Sequence, residues 1–170
     1  MERPITKFFL LLLTVSAFVW IAASSIKNYQ VGMLLKFGTV EFKEGIDPDA
    51  ERTIYRVISE NIVITFAAYP FVLMGAAGYL RTTRRSFKTD GWLMMSAILL
   101  FLFIPVELYC FTLDWKIIGL NYWGEWPIEE FRKAVIHRWK TLAGLPLVAQ
   151  FCYYSIPLLI LFKPLKRNAE

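Results

Sequence analysis

Four long apolar blocks separated by polar segments are the dominant pattern of the chain. Each block holds about 19–22 residues, which at about 1.5 Å of rise per residue crosses a hydrocarbon layer about 30 Å thick. A lipid-facing backbone must satisfy its own hydrogen bonds, so blocks of this length predict helices rather than strands. The predicted spans cover residues 8–26, 62–80, 92–113 and 142–162.

This pattern predicts an all-α membrane protein with a single four-helix transmembrane domain over residues 1–170. Its four transmembrane helices form an up-down bundle, and outer segments 27–61 and 114–141 form a small extracytoplasmic cap. Composition agrees, because 56% of the residues are hydrophobic and 19% are charged, against about 45–50% apolar and about 25% charged in soluble domains. The first block begins like a signal peptide, after Arg3 and Lys7, but its length favours a span that is not cleaved.

Lysines and arginines are distributed unequally between the two sides of the predicted bundle. The N-terminus, the 81–90 loop and the C-terminal tail together carry nine cations in about 25 residues. The outer segments carry ten cations in about 63 residues, opposed by ten acidic side chains. Because short cytoplasmic loops carry an excess of Lys and Arg, we expect both termini in the cytoplasm. The expected location is the plasma membrane, which in a bacterium is the inner membrane.

The first outer segment contains a helix start. Asp47 can cap a helix, Pro48 fits its first turn, and acidic residues follow at positions 49 and 51. No helix breaker follows before Pro70, so we predict a helix from Pro48 to Leu80 that extends about 20 Å beyond the membrane core. Before this helix, residues 39–43 alternate between polar and apolar, which favours a short strand or a hairpin.

The second outer segment contains another helix, opened by Pro127. Its apolar residues recur at helical spacing and form one face. That face can pack on the first outer segment, lie on the membrane surface or bind a partner membrane protein. The residues of this predicted face are Ile128, Phe131, Val135, Trp139 and Leu142.

One carboxylate, Glu107, lies inside the third predicted span, about 9 Å below its outer end by helix rise. A charged side chain at such a depth costs about 3 kcal/mol on insertion scales and generally faces a cavity or a partner. Tyr69, Gln150 and Trp20 fall at a similar depth in the other spans. We therefore predict that these four residues bind a ligand in an outer-leaflet pocket. The alternative is that Glu107 hydrogen-bonds to Gln150 or Tyr69 and only holds the bundle together.

Prolines and small residues predict where the spans bend and where they pack. Pro70, Pro105 and Pro146 lie at similar depths, and each removes a helix hydrogen bond and can open a kink. The run 75–78, Gly-Ala-Ala-Gly, lets another helix approach closely.

Candidate chemistry beyond Glu107 is sparse. The sequence contains no nucleophile elbow, zincin, P-loop or dinucleotide-binding motif. The single histidine, His137, excludes a haem held by two histidines of this chain. Cys110 and Cys152 differ in depth by about 10 Å, too far for a disulfide. We therefore assign no catalytic residue, no metal and no cofactor, and the net charge of +5 has no nucleic-acid motif beside it.

Two functions follow from this pattern. The first is a non-enzymatic accessory or structural subunit of a membrane protein assembly, with partner proteins bound through segments 27–61 and 114–141. The second is a membrane-embedded enzyme or carrier that acts on a lipid-soluble small molecule at the level of Glu107. The lack of catalytic motifs favours the first function, and the shared depth of the four candidate residues favours the second.

Overall fold

The computed structural model of the protein describes residues 2–124 and 127–165, and over these ranges the chain is 82% helical, without a strand. Four helical segments are long and apolar enough to cross a membrane, which confirms the predicted all-α four-span fold. In the third of these segments two helices, α3 and α4, follow one another. The helices are α1 (Pro4–Leu34), α2 (Pro48–Thr82), α3 (Gly91–Leu102), α4 (Ile104–Trp123), α5 (Ile128–Lys140) and α6 (Leu145–Phe162).

The start of α2 has the predicted capping geometry. The Asp47 carboxylate accepts a hydrogen bond from the backbone N–H of Ala50 at 3.0 Å, and Pro48 lies in the first turn. The helix then continues through Pro70 to Thr82. The prediction of one long helix that extends beyond the apolar span is confirmed.

The third span differs from its prediction in two ways. It is interrupted at Phe103, between α3 and α4, because Pro105 has no N–H to donate and its ring crowds the carbonyl one turn earlier. It also extends to Trp123 rather than ending at Leu113. The apolar pattern stops at Asp114, but the helix does not, because this carboxylate is buried and paired.

The other span boundaries also shift. Helix α1 continues eight residues past the predicted end at position 26, to Leu34. The fourth span begins at Leu145 rather than at position 142, after a 3₁₀ turn over Thr141–Gly144. Gly144 ends this turn with a φ of +84°, a left-handed conformation that glycine adopts without steric cost.

Close packing of α1 on α2 uses the predicted small-residue run. A Cβ atom added to Gly75 would lie 2.7 Å from the backbone nitrogen of Leu13, so only a glycine allows this approach. At Gly78 the aromatic ring of Phe9 occupies the corresponding space. The prediction that residues 75–78 form a packing face is confirmed.

We call the end of the bundle that holds the outer segments the capped end, and the end where α1 begins and α6 finishes the terminal end. At the capped end, residues from both outer segments form one hydrophobic cluster, the cap core. Phe131 and Val135 of α5 are almost fully buried in it, so the predicted apolar face of α5 packs on the first outer segment. Leu142 does not join this face, because it lies beyond the end of α5 and is exposed. The buried cap core comprises Val31, Leu34, Leu35, Tyr55, Ile58, Ile62, Ile117, Ile118, Phe131 and Val135.

The connection between α1 and α2 is a tight turn rather than a strand pair. A single antiparallel bridge joins Leu35 to Phe42, and the Lys36 N–H donates to the carbonyl of Glu41 at 2.8 Å. Gly38 turns the chain with a φ of +73°. Phe37, at the tip of this turn, is fully exposed.

An ion pair between a buried carboxylate and a partly exposed arginine fastens α5 to α2. Arg132 donates from Nε and Nη2 to the two carboxylate oxygens of Glu51, at 2.7 and 2.6 Å. Tyr55 donates from its hydroxyl to the same carboxylate at 2.9 Å. The hydrogen bonds with Glu51 raise the pKa of Arg132, so the guanidinium stays charged and this contact remains a fork of two charge-assisted bonds.

Candidate functional site

Three charged side chains from three helices meet beneath the cap. Lys27 of α1 donates to one oxygen of Asp114 on α4 at 2.9 Å, and Arg138 of α5 donates from Nε to the other oxygen at 3.0 Å. Their side chains retain only 10%, 2% and 14% of their accessible surface, in that order. One carboxylate therefore balances two cations inside the protein.

Arg138, the residue of this cluster that comes from α5, keeps its charge. Burial alone would lower the pKa of Arg138, but the charge of Asp114 and its hydrogen bond outweigh burial and raise it. The position of the cluster follows from helix geometry. Lys27 lies one residue beyond the predicted first span, so the cluster lies at the boundary between the apolar spans and the cap.

A half-enclosed cavity of about 100 Å³ lies against this cluster. Its walls come mainly from α1 and α6, its top from α5 and the 3₁₀ turn, and its back from Glu107 of α4. The backbones of α1 and α6 make little close contact, so side chains rather than packed helices separate the cavity from the lipid. The polar and aromatic residues that line it include Trp20, Lys27, Glu107, Arg138, Gln150 and Tyr153.

The side chain of Glu107 faces this cavity and accepts no hydrogen bond from any residue that the structure describes. The charges of Lys27, Arg138 and Asp114 all act on its carboxyl group, although none of these groups is bonded to it. The expected alternative, a hydrogen bond from Glu107 to Gln150 or Tyr69, is therefore wrong. The Tyr69 hydroxyl makes no hydrogen bond of standard geometry with the described residues, and Gln150 takes other partners.

Gln150 connects α6 to α1 across the cavity. Its side-chain oxygen accepts a short hydrogen bond from Asn28, and its side-chain nitrogen donates to Ser25 at 3.3 Å and to Tyr154 at 2.7 Å. The hydroxyl groups of Ser25 and Tyr154 are also hydrogen-bonded to each other. These contacts form a polar bridge between two helices whose backbones stand apart.

Aromatic side chains form the membrane-side wall of the cavity. The ring of Trp20 lies 5.0 Å from that of Tyr69 and 4.8 Å from that of Tyr153, between ring centres. The hydroxyl groups of the two tyrosines lie near each other and near Glu107. Both are buried, and neither makes a hydrogen bond of standard geometry within the described ranges.

The structure thus brings three of the four predicted residues into the lining of one cavity: Trp20, Glu107 and Gln150. Tyr69 lies directly behind Trp20 and does not line the cavity. That these residues bind a ligand stays a prediction. Across residues 2–124 and 127–165, no three His, Cys, Asp or Glu side chains are placed to hold a metal ion.

Sequence reasoning missed the charged cluster because it assigned Lys27, Asp114 and Arg138 to polar segments outside the membrane. The spacing of these residues along the sequence could have indicated the cluster. Asp114 follows Glu107 by seven residues, and Lys27 follows Trp20 by seven, so each pair lies on one helix face. Asp114 extends the helix face of Glu107, and Lys27 extends the helix face of Trp20. If both faces point into the bundle, the carboxylate and the cation belong to one polar site.

No protein family, no curated protein and no solved structure matches the chain. The class of protein is therefore defined by the fold alone. The chain is a multi-pass α-helical membrane protein with four spans.

Proposed function

We propose that this protein binds an amphipathic, lipid-soluble molecule in the cavity between α1 and α6. The observation that supports the proposal is a half-enclosed, mostly apolar cavity at the membrane boundary that holds the carboxyl group of Glu107, to which no described residue donates a hydrogen bond. Keeping such a group in a membrane span is expensive unless it serves a ligand or a partner.

The position of the cavity suits a molecule that arrives from the bilayer. Leu147 lines the cavity and also retains 48% of its accessible surface, so one side chain contacts both the cavity and the surrounding lipid. The volume of about 100 Å³ is below the range of about 300–1,000 Å³ for whole drug-sized ligands. It holds a polar head, while the apolar remainder of the ligand lies along α6 in the membrane.

Purification of the full chain in mild detergent, followed by mass spectrometry of bound small molecules, tests the proposal. We expect a near-stoichiometric amphipathic molecule with the wild-type protein. Leu147→Trp should abolish its retention, because the larger side chain fills the cavity entrance. Leu158→Trp is the matched control, since Leu158 is 55% exposed on the same helix and does not line the cavity.

Equal amounts of the same molecule in both tryptophan variants would contradict the proposal, as would its absence from all three proteins. Replacement of Glu107 by Gln and by Leu extends the test. If both variants accumulate normally and retain the ligand as wild type does, Glu107 has no part in the site.

One observation supports the second function, an accessory subunit of a membrane assembly. Phe37 stands fully exposed at the tip of the turn between α1 and α2, where an apolar ring can contact another protein. The same purification separates the two functions. A stoichiometric protein partner that is lost in Phe37→Ser, without any bound small molecule, favours the accessory role.

A further inference from the structure

We infer that the molecule bound in this cavity carries an anionic head, a carboxylate or a phosphate, which Arg138 binds. The inference rests on the binding function proposed above and specifies the chemistry of the ligand. It follows from the donors of Arg138 that line the cavity without a hydrogen-bond partner among the described residues.

The charged cluster has an excess positive charge at its centre. Asp114 is the direct partner of both Lys27 and Arg138, so two cations share one carboxylate. Buried charges are costly unless an opposite charge is bonded to them. Glu107 also lines the cavity, and with its carboxyl group ionised the charges of Lys27, Arg138, Asp114 and Glu107 sum to zero, although Glu107 is hydrogen-bonded to neither cation. The inference of an anionic head therefore depends on donors of Arg138 that have no partner among the described residues, and not on net charge.

Arg138 has donors available for such a head. Its hydrogen bond to Asp114 uses Nε, and its two Nη groups make no hydrogen bond with the residues that the structure describes. Because Arg138 lines the cavity, these groups are available to a ligand there. A guanidinium offers its N–H groups in a planar fork that matches a carboxylate or a phosphate.

The three classes of head differ in the hydrogen bonds that they can make with Arg138. A cationic head brings no acceptor for the Nη groups, and a neutral head accepts hydrogen bonds from them without charge on both partners. An anionic head accepts charge-assisted bonds from the planar fork, against the repulsion of Asp114 and Glu107.

The test measures binding of four decyl compounds to the full chain in phosphatidylcholine nanodiscs by isothermal titration calorimetry. Decanoate and decyl phosphate carry anionic heads, decanol a neutral head and decyltrimethylammonium a cationic head. We expect at least one anion to bind about tenfold or more tightly than decanol, since charge-assisted hydrogen bonds are about twice as strong as neutral ones. The preference between decanoate and decyl phosphate distinguishes a fatty-acid carboxylate from a lipid phosphate.

Three variants test whether the preference for an anionic head depends on the charged cluster. Arg138→Lys keeps the charge that pairs with Asp114 but removes the planar fork, so the anion preference should fall by about fivefold or more while the protein remains folded. Glu107→Gln removes a negative charge from the cavity and should tighten anion binding. Lys133→Gln is the matched control, because it removes an exposed cation from the same helix.

Each result decides one of the two proposals. Tightest binding of decanol or decyltrimethylammonium overturns the anionic class and leaves the binding function intact. Unchanged anion affinity in Arg138→Lys also overturns the inference. If no decyl compound binds and no small molecule co-purifies with the wild-type protein, the binding function itself fails.

Discussion

At the scale of single residues, two buried carboxylates hold the cap on the membrane helices. Glu51 of α2 is bound by Arg132, and Asp114 of α4 is bound by Arg138. Both arginines lie on α5, so this short helix is fastened to two different spans. Breaking a buried pair leaves an uncompensated charge, whereas an exposed pair contributes little.

Arg132→Gln should therefore destabilise the protein through Glu51, whose side chain is only 1% exposed. Because Arg132 itself is partly solvated, we expect a loss toward the lower end of about 3–5 kcal/mol. Arg56→Gln removes an exposed ion pair with Glu60 and should change stability by less than about 1 kcal/mol. Thermal unfolding in detergent, followed by tryptophan fluorescence, compares the two. Similar midpoints for both variants would show that the Glu51 pair does not stabilise the cap.

At the scale of elements, the helices of the bundle pack against one another unevenly. Helix α1 packs closely along α2, and α6 packs on α3 and α4, while α1 and α6 stay apart. The interruption at Phe103 and the turn at Gly144 place α4 and α6 around Glu107. The open side of the bundle is thus the side that carries the cavity.

Gly75→Ala tests the contact between α1 and α2. The added methyl group would lie 2.7 Å from the Leu13 backbone, and a backbone cannot yield as a flexible side chain can, so we expect about 1–3 kcal/mol of destabilisation from overpacking. Gly32→Ala is the control, because nothing lies within 4 Å of its added Cβ. In α1 that change should be neutral or stabilising by up to about 1 kcal/mol. An equal thermal midpoint for both variants would contradict the close approach.

At the scale of the whole molecule, the polar cap and the basic loops lie at opposite ends of four spans. The excess of cations at the terminal end supports our proposal that this end faces the cytoplasm. The fold places the turn at Phe37 at the capped end and the loop at Lys88 at the terminal end. Labels at these two positions, which flank α2, therefore report on the orientation and on whether α2 crosses the membrane.

We expect a membrane-impermeant maleimide to label Phe37→Cys in intact cells and Lys88→Cys only after permeabilisation. Both variants are made in a chain whose free cysteines, Cys110 and Cys152, are replaced by serine. The opposite pattern would reverse the proposed orientation while leaving the fold unchanged. Labelling of both positions from one side would contradict the four-span arrangement.

The sequence by itself determined the number and type of the spans, the long α2 beginning at Pro48, and the amphipathic α5. These features depend on local properties: apolar length, capping residues and helical periodicity. It also identified Glu107, because a single carboxylate is conspicuous in an apolar block. The break at Phe103 was only partly foreseen, since Pro105 permits a kink without requiring one.

Only the tertiary structure decided what surrounds Glu107. The Lys27 ammonium and the Asp114 carboxylate are separated by 87 positions in the chain, and the Arg138 guanidinium comes from a helix outside the spans. In the local sequence, each of these residues is indistinguishable from an ordinary polar residue near the end of a span. Their meeting in one buried cluster depends on long-range packing, because residues far apart in the sequence must fold together before two cations can share one buried carboxylate.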